Sequence, residues 1–229
     1  MTRLITSALT NTAALLLMAA TANGTLVYTM DFSVPGQGAT HTRNNSITAF
    51  SAPSPVAGSN WTLTYGSVSS DSTTNEFITN SGVMRVQDWG GEGTITSDPI
   101  NIVETGTVDI VGSGLTIGPD GFNSGSEGIT WFYTINSGTP VTTFLGHSTQ
   151  NGAVDAGTDV GAAFNDVPVF GGDRLEIGFS VDVNGAGDGV EVSSMTVNFT
   201  AIPEPSGAVA MALVLALCVV RRRMQIAVA

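Results

Sequence analysis

The stretch "DVNGAGDGVE" concentrates oxygen-bearing side chains: Asp182, Asn184, Asp188 and Glu191 are interleaved with glycines that permit sharp turns. Hard cations such as Ca²⁺ are held by such oxygens, and the order Asp182, Asn184, Gly187 follows the first half of a calcium-binding loop. The pattern breaks at its fifth position, Ala186, and at its twelfth, where Ser193 stands in place of a bidentate Glu. Asp, Asn and Gly also build ordinary hairpin turns, so a calcium loop and a plain turn both stay open.

Other chemistry is thinner. The two histidines, His41 and His147, come without a nearby Glu or second His at metal-binding spacing, and no serine sits in a Gly-x-Ser-x-Gly turn. Asp173 and Glu176 would serve as paired carboxylates only if they faced one another across a cleft, and among 19 acids such a pair is not a distinctive signal. The expected class is therefore not an enzyme. Aromatic side chains offer a different chemistry, stacking on sugar rings. Trp61 and Trp131 alternate in phase with apolar neighbours and read as core, whereas Trp89, beside Asp88 and Gly90, and Phe132, between Thr130 and Thr134, read as surface candidates for glycan binding.

The elements that position these residues read as strands. In the 229 residues, 42% are hydrophobic and only 11% charged, with 28 glycines, which favours an all-β protein. Period-two alternation marks Leu26–Val34, Trp61–Tyr65 and Leu175–Val183. Shorter strands are expected at Ile47–Phe50, Gly82–Gln87, Thr94–Thr96, Pro99–Val103, Thr107–Val111, Leu115–Ile117, Ile129–Ile135 and Val141–Leu145. Asn-Ser-Gly triplets at 80–82, 123–125 and 136–138 mark turns between them. In the last strand the apolar phase slips between Val192 and Met195, which predicts a bulge at Ser193-Ser194. Residues 150–172 read as a long loop with at most a short strand at Pro168–Phe170. The expected fold is an antiparallel β-sandwich of two face-to-face sheets, jelly-roll-like, over residues 23–202.

Both ends read as delivery signals. Arg3, an apolar stretch and Ala20-Thr21-Ala22 form a signal peptide over residues 1–22, with signal peptidase cutting after Ala22. Residues 203–229 begin with Pro203-Glu204-Pro205, continue through an apolar run from Gly207 to Val220, and reach Arg221-Arg222-Arg223. That run of about 14 residues would span roughly 21 Å as a helix against a hydrocarbon core of about 30 Å, which suits a transient transmembrane helix better than a permanent one. The arginines would stay on the cytoplasmic side.

This order resembles the PEP-CTERM sorting domain of exported bacterial proteins. The resemblance covers the last 27 residues and implies an exosortase as processing partner. It further implies passage through the inner membrane to the cell surface or the extracellular matrix of an exopolysaccharide-making bacterium. The six residues after Arg223 extend past the point where many members of that family end.

Seven basic residues against 19 acids give a net charge of −12, which excludes nucleic acid as a partner by repulsion of phosphate. The one cysteine, Cys218, lies in the apolar tail, so no disulfide staples the body. The expected role is a binding or structural module in the exopolysaccharide layer, with calcium as the one cofactor the sequence suggests. The other open readings are a calcium-bound carbohydrate-binding adhesin and a polysaccharide-active enzyme.

Overall fold

Alternating side chains can bury one face of a strand only if a second sheet covers it, and the chain meets that requirement with two sheets of seven strands each. The computed structural model describes residues 25–42, 54–55, 59–65, 74–87, 91–118, 121–123, 125, 127–147, 153–183 and 187–202. The signal peptide, the sorting tail, the expected strand Ile47–Phe50, Trp89 and Asn184 lie outside them.

In chain order the strands are β1 (Thr25–Thr29), β2 (Gly38–Thr42), β3 (Ser54–Pro55), β4 (Trp61–Tyr65), β5 (Thr74–Asn80), β6 (Val83–Gln87), β7 (Gly91–Ser97), β8 (Ile100–Asn101), β9 (Gly106–Ile117), β10 (Gly128–Ile135), β11 (Val141–Gly146), β12 (Ala162–Val169), β13 (Arg174–Val183) and β14 (Gly189–Ala201). The first sheet runs β12-β9-β14-β6-β5-β2, with β1 also on β14. The second runs β11-β10-β13-β7-β4-β3, with β8 also on β13. Every pairing is antiparallel, and the described residues contain no helix.

The bulge expected at Ser193-Ser194 is present. Val192 faces Gly114 and Ser194 faces Ser113, so one extra residue is absorbed and Val192, Met195 and Val197 all reach the core. The bulge also falls where the partner of β14 changes, from β6 at Gly189–Val192 to β1 at Thr196–Phe199. Two Asn-Ser-Gly turns close hairpins as expected. Ser81 and Gly82, with φ of 52° and 88°, form a two-residue hairpin between β5 and β6, while Asn136 and Ser137, at 53° and 56°, form a turn closed by Gly138 N to Ile135 O within the longer β10–β11 connection.

Several expectations need correction. Thr107–Val111 and Leu115–Ile117 are one continuous strand, β9, because Gly112 and Gly114 remain in the ladder with β14. The strand expected over Leu26–Val34 ends at Thr29. Met30 and Phe32 still enter the core, while Leu26 and Val34 stay exposed. The stretch expected to be a loop over residues 150–172 contains the full strand β12, whose pattern is disguised by a bulge at Asn165-Asp166 that keeps Phe164 and Val167 inward. β2 and β5 went unread.

Between the sheets an aromatic chain runs Trp61, Phe32, Phe179, Trp131, with successive centroids 6.0, 6.5 and 5.4 Å apart. Both indoles are buried and donate, Trp61 Nε1 to Asp31 O at 2.7 Å and Trp131 Nε1 to Val160 O at 2.7 Å. Both were expected in the core.

Tyr28 donates its hydroxyl to Asn60 O at 2.6 Å. Burial, and then the charge of Asp98, push its pKa well above the ordinary phenol value. The folded state thus holds a proton that the unfolded chain releases near pH 10, so stability should fall as pH rises through and beyond that value. Tyr28→Phe is expected to lose about 1 kcal/mol at neutral pH with its hydrogen bond and to flatten the alkaline decline, measured by urea unfolding from pH 8 to 11. A decline as steep as in the wild type would assign the effect to other groups, Tyr65 first, whose pKa burial also raises.

Candidate functional site

The outer face of the second sheet is built by the residues that alternate with the core. From β11 it takes Thr142 and Phe144, from β10 Thr130, Phe132 and Thr134, from β13 Glu176, Gly178, Ser180 and Asp182, and from β7 Glu92, Thr94 and Thr96. Among the described residues no third layer covers it. Hydroxyls dominate, and two of its contacts tie neighbouring strands together: Thr94 and Ser180 share a hydrogen bond of 2.6 Å, and Thr134 Oγ1 donates to Glu176 Oε2 at 3.2 Å.

Two phenyl rings break the polar surface. Phe132 is half-buried and leans over Gly178, where an added Cβ would lie 2.4 Å from its Cζ. Phe144 is 49% exposed and covers Gly128, where a Cβ would lie 2.6 Å from its Cε2. The glycines let the rings lie low against the sheet instead of standing off it. Phe132 faces Thr142 and Thr130 faces Phe144 in register, so the two residues are diagonal neighbours on adjacent strands, with the Phe132 ring leaning toward β13 and the Phe144 ring toward Gly128 and Gly146. Such a platform, two separate apolar rings set along one face among threonine and serine hydroxyls, can stack on the apolar faces of sugars in a chain and bond their hydroxyls at the rim.

The sequence-derived residues divide across the molecule. Phe132 is on the platform. Trp89 lies outside the described residues, between Gln87 at the end of β6 and Gly91 at the start of β7. Phe144 was missed. Its signal was its position in β11, one residue out of phase with inward Leu145, on a strand whose edge position hid the alternation.

Of the four proposed cation ligands, the three among the described residues, Asp182, Asp188 and Glu191, are not brought together. Asp182 is on the outer face of the second sheet, opposite Glu92 and Gly128. Glu191 is on the outer face of the first sheet, opposite Arg85, which itself pairs with Glu76 at 3.7 Å. Alternation forces this separation, since the strands flanking the turn belong to different sheets. Asp188 is buried instead beside the β9–β10 connection, where Asn123 donates its Nδ2 to Asp188 Oδ1 at 3.4 Å and its backbone N–H to Glu127 Oε2 at 2.8 Å. Glu127 is buried too. Among the described residues no three His, Cys, Asp or Glu side chains are grouped to hold a metal ion.

Asp173 and Glu176 do not face one another across a cleft. Asp173 accepts from Asn136 Nδ2 at 2.7 Å and from Phe170 N at 2.8 Å in a turn, while Glu176 bonds Thr134 on the open sheet. His147 contacts Gly125 O through Nδ1 at 3.3 Å, and His41 lies in β2.

Fold and site define a two-sheet antiparallel β-sandwich with an open, hydroxyl-rich face. No protein-family model matches the chain, and no curated protein matches it. Among solved structures it is similar to TmCBM61 in complex with β-1,4-galactotriose, at 12% identity over 61% of this chain and 88% of that one, TM-score 0.41. It is also similar to the CBM22-1 xylan-binding domain from Paenibacillus barcinonensis Xyn10C, at 8% identity over 80% and 100% of the two chains, TM-score 0.34. A third is the K3 cleaved adhesin domain of Lys-gingipain from Porphyromonas gingivalis W83, at 11% identity over 77% and 99%, TM-score 0.37.

Proposed function

We propose that the chain is an exported bacterial surface or matrix protein whose jelly-roll-like body binds polysaccharide through the outer face of the second sheet. The observation that supports this best is the Phe132–Phe144 platform, because apolar rings laid low on an open face among hydroxyls suit a flat sugar chain better than a small charged ligand. The body acts as a binding and structural module, not as an enzyme. Its acidic surface favours a neutral glycan over an anionic one.

Delivery follows from the two ends: cleavage after Ala22, then recognition of Pro203-Glu204-Pro205, the apolar run and Arg221-Arg222-Arg223 by an exosortase in the inner membrane. Mass spectrometry of the surface-localised protein should find the mature C-terminus near Pro205. Peptides beyond Arg221 would show a retained anchor.

The test of binding is retention of the purified protein on the host's own exopolysaccharide, with calcium and again with a chelator. Saturable retention is expected. Loss on chelation would place calcium, the expected cation, among the oxygen side chains around Asp188. No retention under either condition would sink the glycan reading and leave a purely structural role.

A further inference from the structure

The sandwich has two unlike ends. At one, the strand ends Gln87, Gly91, Ile117, Gly128, Gly146, Val183 and Gly189 gather. At the other, the β8–β9 connection, the β12–β13 turn and the last residues of β14 meet. There Ile202 donates its backbone N–H to Thr105 O at 3.2 Å, and Gly172 donates to Ile102 O at 2.7 Å. This second end is open and mixed in character, with three large apolar side chains standing out among Glu104, Thr105 and the Asp173–Arg174 turn. Val103 is 85% exposed, Phe170 63% and Ile202 56%, and the three occur together around one groove completed by Ala201. Val27 and Phe199 extend the surface through an adjoining cleft that shares Val103. Glu104 is the one charged residue lining the groove. It is the grouping of these three exposed side chains, and not their exposure alone, that singles this end out.

We infer that this end docks on the bilayer surface, with Val103, Phe170 and Ile202 seated in the headgroup–acyl boundary while the tail is held in the membrane. The inference rests on the membrane-delivered reading above. Its occupant follows from chain length. The described chain reaches Ile202, in the wall of this groove, and the apolar run begins at Gly207. Four residues separate them, Pro203 to Ser206, and even fully extended the step from Ile202 to Gly207 reaches about 18 Å at most. A run entering the bilayer therefore holds this end, and no other, against the membrane. Apolar side chains without basic partners suit a zwitterionic interface, because the acidic body gains nothing from anionic headgroups.

The test uses the full-length chain with Cys218→Ser and a single new cysteine, Val103→Cys, labelled with nitrobenzoxadiazole and reconstituted in phosphatidylcholine vesicles. Leu115→Cys, half-exposed toward the other end of β9, is the control. Co-flotation with vesicles is expected. So are a blue-shifted emission and quenching by brominated acyl chains at position 103 and neither at 115. A chain that floats but shows the same water-like emission at both positions overturns the docking while the membrane reading stands. A blue shift at 103 that brominated lipid does not quench means that the tail itself or a second copy covers this end, and overturns it as well. A chain that does not float fails the membrane reading and the docking with it.

Discussion

Trp131→Ala is expected to destabilise the body by about 4 kcal/mol, the range for removing a fully buried Trp, and to lower Tm by roughly 10 °C. Three contacts set the size. The ring packs 5.4 Å from Phe179 at the end of the aromatic chain, and its Nε1–H satisfies Val160 O. It also fills the space over Gly112, where an added Cβ would lie 2.3 Å from its Cζ3. Alanine leaves a cavity that two ladder-locked sheets cannot close, and it removes the indole bond to Val160 O in the β11–β12 connection. With total stabilities of about 5–15 kcal/mol typical, and no disulfide in the body to fall back on, this is a large share. Urea unfolding with an unchanged m-value checks it. A loss below about 1 kcal/mol would mean that the cavity collapses and that Trp131 does not hold the sheets together.

The Phe132→Ala/Phe144→Ala double variant should keep the wild-type Tm within a few degrees and lose glycan retention. If each ring contributes on the scale of an aromatic contact, about 1 kcal/mol, the pair is worth about 2 kcal/mol, or roughly thirty-fold in affinity. Phe144 is half-exposed on the edge strand, so its removal costs little folding energy. Affinity electrophoresis in gels containing the host polysaccharide separates the two effects. Unchanged migration shift with unchanged Tm would remove the platform from the binding mechanism, whereas a large Tm loss would show that the rings serve the sheet instead.

Legibility in the sequence followed burial. Where a strand buries one face against the other sheet, as in β4 and β13, apolar alternation is unbroken and the element can be read directly. The bulge in β14 was readable for the same reason, since Val192 and Met195 are both apolar and three apart. Strands failed to be read where local chemistry disguised the period. β12 carries Asn165, Asp166 and Pro168 because its bulge and edge position relieve those residues of pairing duties, and Asp166 sits at a φ of 54° with its N–H donated to Asp109 Oδ1. β5 has only Phe77 among its described residues fully buried beside Thr79, whose hydroxyl serves the turn before β2 rather than the core. The platform was half legible: Phe132 stands out between threonines, but Phe144 reveals its outward face only once β11 is placed at the sheet edge. The separation of Asp182 from Glu191 was not legible, because spacing along the chain cannot show that a turn joins two different sheets and sends the two to opposite outer faces.

The position of β14 has a mechanical consequence. Its whole length is bonded to β9 on one side, and on the other to β6 and then β1. Its hydrogen bonds lie across the strand axis, so a tether pulling on Ile202 along that axis loads both ladders together in shear, not one bond at a time as in unzipping. A body fixed to a polysaccharide mesh and drawn by its C-terminal end would thus resist flow through its longest strand, with the change of partner at Ser193-Ser194 as the point where the load passes from one neighbour to the next.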